Sequence, residues 1–285
     1  MSLNQSTPET GQPLLKVEGV SKYFMRDKSR FAAVEDVSVT LNAGETLGIV
    51  GESGSGKSTL SRCIIRLYDP EKGRIFFDGV DFTALSTKAL RTKRRNIQMI
   101  FQDPLASLNP MMTVHSAIED PMLIHNVGSA RERTKRVHEL LELVGLDIGA
   151  ANAFPFEFSG GQQQRIGIAR ALALNPKLLI CDEAVSALDV SIQAQILRLL
   201  QDLQKQLGLA YLFISHNLAV VEHMSDQIAV MYHGKVVEYN TAEEIFRAPK
   251  QEYTRNLIDS VPKIPRSDTM RFKRPRLNKD AAEAK

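Results

Sequence analysis

From Leu14 onward the chain alternates apolar and polar residues, first in "LLKVEGVSKYF" and again in "AAVEDVSVTL". A period of two predicts half-buried strands, and the turn residues "NAGE" close the second run. "TLGIV" is a short, wholly apolar strand that runs into the glycine-rich "GESGSGKST". "STLSRCIIRLY" then has helical spacing, and "GRIFFDGVDF" predicts another strand with a turn at Asp78-Gly79. From about Thr113 to Phe158 the pattern changes to helical. "VHSAIEDPMLIH" and "SARERTKRVHELLELVGL" predict helices, the second with an apolar face at Val137, Leu140, Leu141 and Val144. Its charged cluster Arg131–Arg136 reads as a solvated face. Beyond Phe158 the elements alternate: helix "GGQQQRIGIARALAL", strand "KLLICD", helix "SIQAQILRLLQDLQKQLG", strand "LAYLFIS", helix "NLAVVEHMS", strand "QIAVMYHGKVVEY".

Strands alternating with helices predict an α/β fold with a parallel sheet covered on both faces. The helical middle is then an insert in that sheet domain. Residues 1–13 are polar and expected to be disordered. The segment from Pro262 is basic and carries prolines, which predicts an unpacked tail, solubilising in preference to binding acidic lipid or a partner.

With 285 residues, 43% of them hydrophobic and 24% charged, the chain has the balance of one large or two small globular domains. A formal charge of +3 is weaker than the basic field expected of a dedicated nucleic-acid binder. Neither a signal peptide nor a membrane-spanning run is predicted, so the expectation is a cytoplasmic chain soluble by itself. The two cysteines, Cys63 and Cys181, form no C-x-x-C pair. Cys181 ends an apolar run and reads as a small core residue.

The chemistry begins at "GESGSGKST", which fits G-x-x-x-x-G-K-[ST] from Gly51 to Ser58 and lies between a strand and a helix, as the phosphate-binding mechanism requires. Backbone N–H groups near Gly54 and Gly56 would cradle phosphate oxygens. Lys57 would reach the β- and γ-phosphates, and the Ser58 hydroxyl, with Thr59 beside it, would bind Mg²⁺. "KLLICDE" delivers Asp182 to the end of a buried strand, where ligands of such sheets bind. Asp182 would hold Mg²⁺ directly or through water, and Glu183 would take a proton from attacking water. "LAYLFISH" places His216 at another strand end, within reach of a γ-phosphate. "IQMIFQ" does the same for Gln102, a neutral amide suited to orienting water or Mg²⁺. "FSGGQQQR" predicts a helix capped by Ser159, with glycines that admit close approach and N–H groups that suit an anion. One domain would thus carry two phosphate sites.

These motifs, in this order, resemble the ATPase subunit of an ABC transporter, and the resemblance runs from about Leu14 to Tyr253. It implies a P-loop (RecA-like) ABC ATPase core with an N-terminal antiparallel β subdomain and an inserted α-helical subdomain. The ATPase domain would span 14–261, with the insert at about 103–164 and the tail at 262–285. By the same resemblance Gly51, Glu52, Ser53, Gly54, Ser55, Gly56, Lys57, Ser58 and Thr59 form the Walker A loop, and Gln102 is the Q-loop residue. Ser159, Gly160, Gly161 and Gln162 are the signature, and Ile180–Asp182 ends Walker B. Glu183 is the catalytic base, Ser186–Asp189 the D-loop and His216 the switch histidine. Mg²⁺ ligands would be Ser58, Gln102 and Asp182. Adenine would stack on Phe24, with Tyr23 a rival. In this family two cassettes pack head to tail, so the signature of one chain closes over the ATP held by the other, which explains the second phosphate site.

"FQDPLASLNPMMTV", "DVSIQAQIL" and "YTRNLIDSVP" resemble the oligopeptide, dipeptide and nickel importer group. Met111, Ala184-Val185 and "QEYT" depart from that group's usual residues, which bears on the substrate more than on the class. No cysteine follows Cys181, so no iron–sulfur cluster is expected in the extension. The resemblance implies a second ATPase subunit, two membrane permease subunits, a solute-binding protein and a place on the cytoplasmic face of the membrane. Import of nickel or another small solute is the alternative within the group. A soluble ABC ATPase of DNA or ribosomes is a rival with less support, because the insert has no sustained heptads. A P-loop kinase or GTPase leaves "SGGQ" unexplained.

Overall fold

Two sheets organise the chain in a computed structural model, which describes residues 12–26 and 29–260. The expectations for residues 1–11 and for the basic tail lie outside the described residues. In chain order the elements begin with β1 (Leu15–Arg26), β2 (Ser29–Leu41), β3 (Thr46–Val50), α1 (Lys57–Ile64), β4 (Lys72–Phe77) and β5 (Val80–Asp81). They continue with α2 (Thr87–Arg94), β6 (Ile97–Ile100), α3 (Pro104–Ser107), α4 (Val114–Ile124) and α5 (Ala130–Leu143). Two 3₁₀ turns, Ile148–Asn152 and Pro155–Glu157, lead to α6 (Gly160–Leu172), β7 (Leu178–Asp182), α7 (Val190–Leu207) and β8 (Ala210–Ile214). The last elements are α8 (Leu218–Met224), β9 (Gln227–Tyr232), β10 (Lys235–Thr241), α9 (Ala242–Arg247) and α10 (Glu252–Asp259).

The first sheet is antiparallel with order β2-β1-β4-β5. The second has order β10-β9-β3-β8-β7-β6, parallel from β9 to β6, with β10 added antiparallel at one edge. This is the mixed α/β architecture expected from the alternating pattern, and the apolar runs are explained by burial on both faces. Along β7, Leu178 and Ile180 join a core shared with the antiparallel sheet, while Leu179 and Cys181 join a core shared with helices α4 to α7. The same alternation holds in β8, where Leu212 and Ile214 face one core and Tyr211 and Phe213 the other.

The α5 stripe Val137, Leu140, Leu141 and Val144 is fully buried, and a capping box at Ser129 and Glu132 fixes the start of that helix. Cys181 is fully buried, and burial pushes its thiol up to about 12, where it is inert. The structure differs from the sequence pattern in several places, among them the short helices α3, α9 and α10, which the pattern does not predict. "QIAVMYHGKVVEY" is a hairpin, not one strand, because His233 (φ 46°) and Gly234 (φ 80°) turn the chain back. Helix α2 escapes the apolar pattern because Leu90 is its one buried residue.

Candidate functional site

In a parallel sheet the strands deliver their carboxyl ends to one rim. Here that rim gathers the loops after β3, β8, β7 and β6, adjacent in that order. The β3–α1 loop, Gly51–Gly56, needs backbone that only glycine supplies. Gly51 (φ 149°) and Gly56 (φ 105°) leave no room for a Cβ, which would overlap the carbonyl oxygens of Met231 and Ala33 respectively. Gly54 (φ 80°) opens instead onto space with no heavy atom within 4 Å. The loop is therefore braced from behind and open in front, a shape that fits a polyphosphate.

The brace comes from sequence-distant elements. The β9–β10 turn donates the Gly234 N–H to the Ser55 carbonyl at 3.0 Å, and the Gly234 carbonyl accepts from Glu35 N–H in β2 at 2.8 Å. The turn dipeptide His233-Gly234 was the only sequence signal for this support, and nothing in it names the partner loop.

Lys57 opens α1 and folds back over the loop, donating to the carbonyls of Gly51 (2.8 Å) and Glu52 (2.7 Å). Burial lowers its ammonium pKa, and the carboxylates of Glu183, Asp182 and Glu52 oppose that shift. A buried cation held by neutral carbonyls is poised for stronger, anionic partners.

One residue on, the Ser58 hydroxyl donates to Asp182 Oδ1 at 2.9 Å, joining two side chains 124 positions apart. Burial pushes the Asp182 carboxyl upward, and the Ser58 hydrogen bond and the Arg62 charge only partly offset it. A buried acid with the negative Glu183 beside it is a place where a divalent cation is stabilised. The donor set, hydroxyl plus carboxylate, is the hard oxygen chemistry that Mg²⁺ takes.

Glu183 follows with φ 51°, a conformation costly for a residue with a side chain. Three hydrogen bonds hold it there: its N–H to the Ile214 carbonyl (2.9 Å), and its own carbonyl accepting from Ser186 N–H (3.0 Å) and the Ser186 hydroxyl (2.9 Å). The kink turns its carboxylate toward His216, whose Nδ1 lies 3.3 Å from Glu183 Oε1. His216 is more than half exposed and Glu183 mostly covered, so the pair faces the rim.

The remaining predicted residues are dispersed. Gln102 follows β6 at the rim and is exposed. Phe24 lies across from Phe31 in the β1–β2 ladder and packs edge-on against Tyr68 with centroids 5.4 Å apart. Tyr23 instead carries the Arg30 guanidinium at 4.0 Å. Ser159 caps α6 in a capping box: Ser159 N–H donates to Gln162 Oε1 at 3.0 Å, and the Ser159 hydroxyl accepts from Gln162 N–H at 3.4 Å. Gly160 and Gly161 lie against Leu188 and Ile192, the latter in α7, and a Cβ on Gly161 would overlap Ile192. Asp189 starts α7 with no side-chain cap bond. Among the described residues no hydrogen bond or ion pair joins Ser159–Gln162 to the β3–α1 loop.

The chain has clear relatives. The family model described as "ABC transporter" matches residues 34–186. The oligopeptide transport ATP-binding protein AppF of Bacillus subtilis is 52% identical over 264 residues, 90% of this chain and 80% of that protein. The glutathione import ATP-binding protein GsiA of Salmonella typhimurium is 51% identical over 267 residues, 91% of this chain and 43% of the longer relative. Among solved structures, the dimeric ATP-binding cassette MJ0796 in a post-hydrolysis state with ADP and Pi matches with a TM-score of 0.73 at 32% identity, covering 80% of this chain and 98% of that one. The cassette CbiO1 of Clostridium perfringens, part of an ABC transporter complex, matches with a TM-score of 0.74 at 29% identity, covering 83% and 91% of the two chains.

Proposed function

This chain belongs to the ABC transporter family, and we propose that it drives the import of peptides as one half of a head-to-tail ATPase pair. It is an ATP-binding subunit of an ABC importer, and ATP hydrolysis is its reaction. Peptide cargo is supported by relatives named for oligopeptide and glutathione import. We assign 14–261 to one ATPase domain with its helical insert at about 103–164, and expect a companion ATPase subunit, two permease subunits and a solute-binding protein. No helix among the described residues is long and apolar enough to cross a membrane, so attachment to the cytoplasmic face would run through the permeases.

The single observation that carries the reading is the cluster Lys57, Ser58, Asp182, Glu183 and His216, drawn from three neighbouring strand ends. Lys57 exchanges loop carbonyls for β- and γ-phosphate oxygens. Ser58 and Asp182, with Gln102, would hold Mg²⁺, which neutralises charge building on the phosphates. Glu183 polarises the attacking water, and His216 holds the Glu183 carboxylate and reaches the γ-phosphate. Phe24 stacks on adenine. Ser159, Gly160, Gly161 and Gln162, with Asp189, act on the nucleotide of the partner chain, where the positive end of α6 favours a triphosphate over a diphosphate.

Glu183→Gln is the direct test. It should leave ATP binding intact, lower turnover by about a hundred- to ten-thousand-fold and trap a closed dimer detectable by size. Near-normal turnover would remove Glu183 from the role. Cargo is tested by ATP-driven uptake of labelled di- and oligopeptides into cells carrying or lacking this chain; equal uptake in both would contradict peptide import.

A further inference from the structure

The back of the phosphate loop touches a residue that the reaction chemistry does not use. Tyr253, in the first turn of α10, accepts a hydrogen bond at its hydroxyl from the Glu52 N–H at 3.1 Å, across 201 positions of sequence. That N–H belongs to the same peptide unit as the Gly51 carbonyl, to which Lys57 Nζ donates at 2.8 Å. In a trans peptide the two groups point in opposite directions. Tyr253 and Lys57 therefore grip the two ends of one peptide, and rotation of that peptide would break both bonds.

The grip has its own foundation. The Tyr253 ring lies 4.2 Å from the Tyr232 ring, and Tyr232 lies 4.1 Å from His233, in the turn whose Gly234 supports Ser55. The start of α10 is fixed by Glu238 of β10, whose two carboxylate oxygens accept from Lys250 N–H (2.8 Å) and Gln251 N–H (3.1 Å). Both supports of the loop thus come from the C-terminal part of the chain.

We propose that Tyr253 is a positioning residue for ATP binding: its hydroxyl fixes the Gly51–Glu52 peptide, so that the loop keeps its shape when Lys57 leaves the Gly51 and Glu52 carbonyls for phosphate oxygens. Docking of α10 is thereby coupled to nucleotide affinity. The proposal rests on the reading of Gly51–Thr59 as the ATP loop.

Tyr253→Phe removes the hydroxyl and keeps the ring against Tyr232. In the full-length chain it should weaken ATP binding, and raise the KM for ATP of the assembled transporter, about two- to tenfold, the loss expected for one neutral hydrogen bond. Turnover at saturating ATP should stay within twofold, because Tyr253 holds the loop and not the reacting atoms. Glu238→Gln, which loosens α10 without touching the loop, should weaken binding in the same direction, and its effect should largely vanish in the Tyr253→Phe background. Unchanged ATP affinity in Tyr253→Phe, beside normal binding by the wild type, would overturn the proposal alone; so would a fall in saturated turnover with KM unchanged. A wild-type chain that binds no ATP would overturn the reading of the loop and the proposal with it.

Discussion

Gly56 stands at φ 105°, and a Cβ there would overlap the Ala33 carbonyl oxygen, which belongs to backbone and cannot step aside. Gly56→Ala should therefore destabilise the fold by about 1–3 kcal/mol in denaturant unfolding, and displacement of the loop should abolish measurable ATP binding. Asp182 presents the opposite case, a residue whose environment is costly until a cation arrives. The loop lysine and its serine are legible in the sequence because the motif is contiguous and its mechanism fixes the spacing. The hydrogen bond between Ser58 and Asp182 is not, since the sheet must first bring the start of α1 to the end of β7, a strand separated from β3 by β8. Nor is the left-handed kink at Glu183, because glutamate gives no local signal for positive φ and the bonds that hold it come from β8 and Ser186.

Helix α6 shows how one element serves two ends. Its capping box satisfies the N–H groups of Ser159 and Gln162, while its body packs against α4, α5 and α7. Ser159→Arg removes the cap and fills the space before the helix start. ATP binding by the same chain should be unaffected, whereas hydrolysis at the partner's site should stop; loss of ATP binding by the isolated variant would count against the assignment.

Helix α10 makes the contrasting point. Burial would raise the Glu238 carboxyl, yet the Lys250 N–H and the other hydrogen bonds it accepts outweigh burial and hold it below its ordinary value. A depressed acid contributes stability that is present above its unfolded pKa and lost as pH falls through the folded one. Hydrogen exchange at α10 should therefore accelerate below the usual carboxylate range, and Glu238→Gln should bring that acceleration to neutral pH. No change in either experiment would show that Glu238 does not hold the helix. The element is hard to read in sequence because Thr254 is its one buried residue, whereas β7 and β8 announce themselves by five buried positions each.

At the scale of the molecule, one rim collects the phosphate loop, the paired acids and the histidine, while the start of α6 has no hydrogen bond or ion pair to that loop among the described residues. The alternating pattern made the parallel sheet legible, since strands buried on both faces must be wholly apolar. The hairpin of β9 and β10 is hidden because histidine gives no local signal for the positive φ at His233, and the brace it builds because its partner loop lies far away in sequence. What a single chain lacks, in this account, is the second wall of its own nucleotide site. The most direct test is the ATP turnover of purified chain, alone and mixed with its companion ATPase, measured per chain across a dilution series with the dimer fraction followed by sedimentation. Turnover should track the dimer and fall away as the chain becomes monomeric. A per-chain rate that stays constant through the monomeric range would contradict the account.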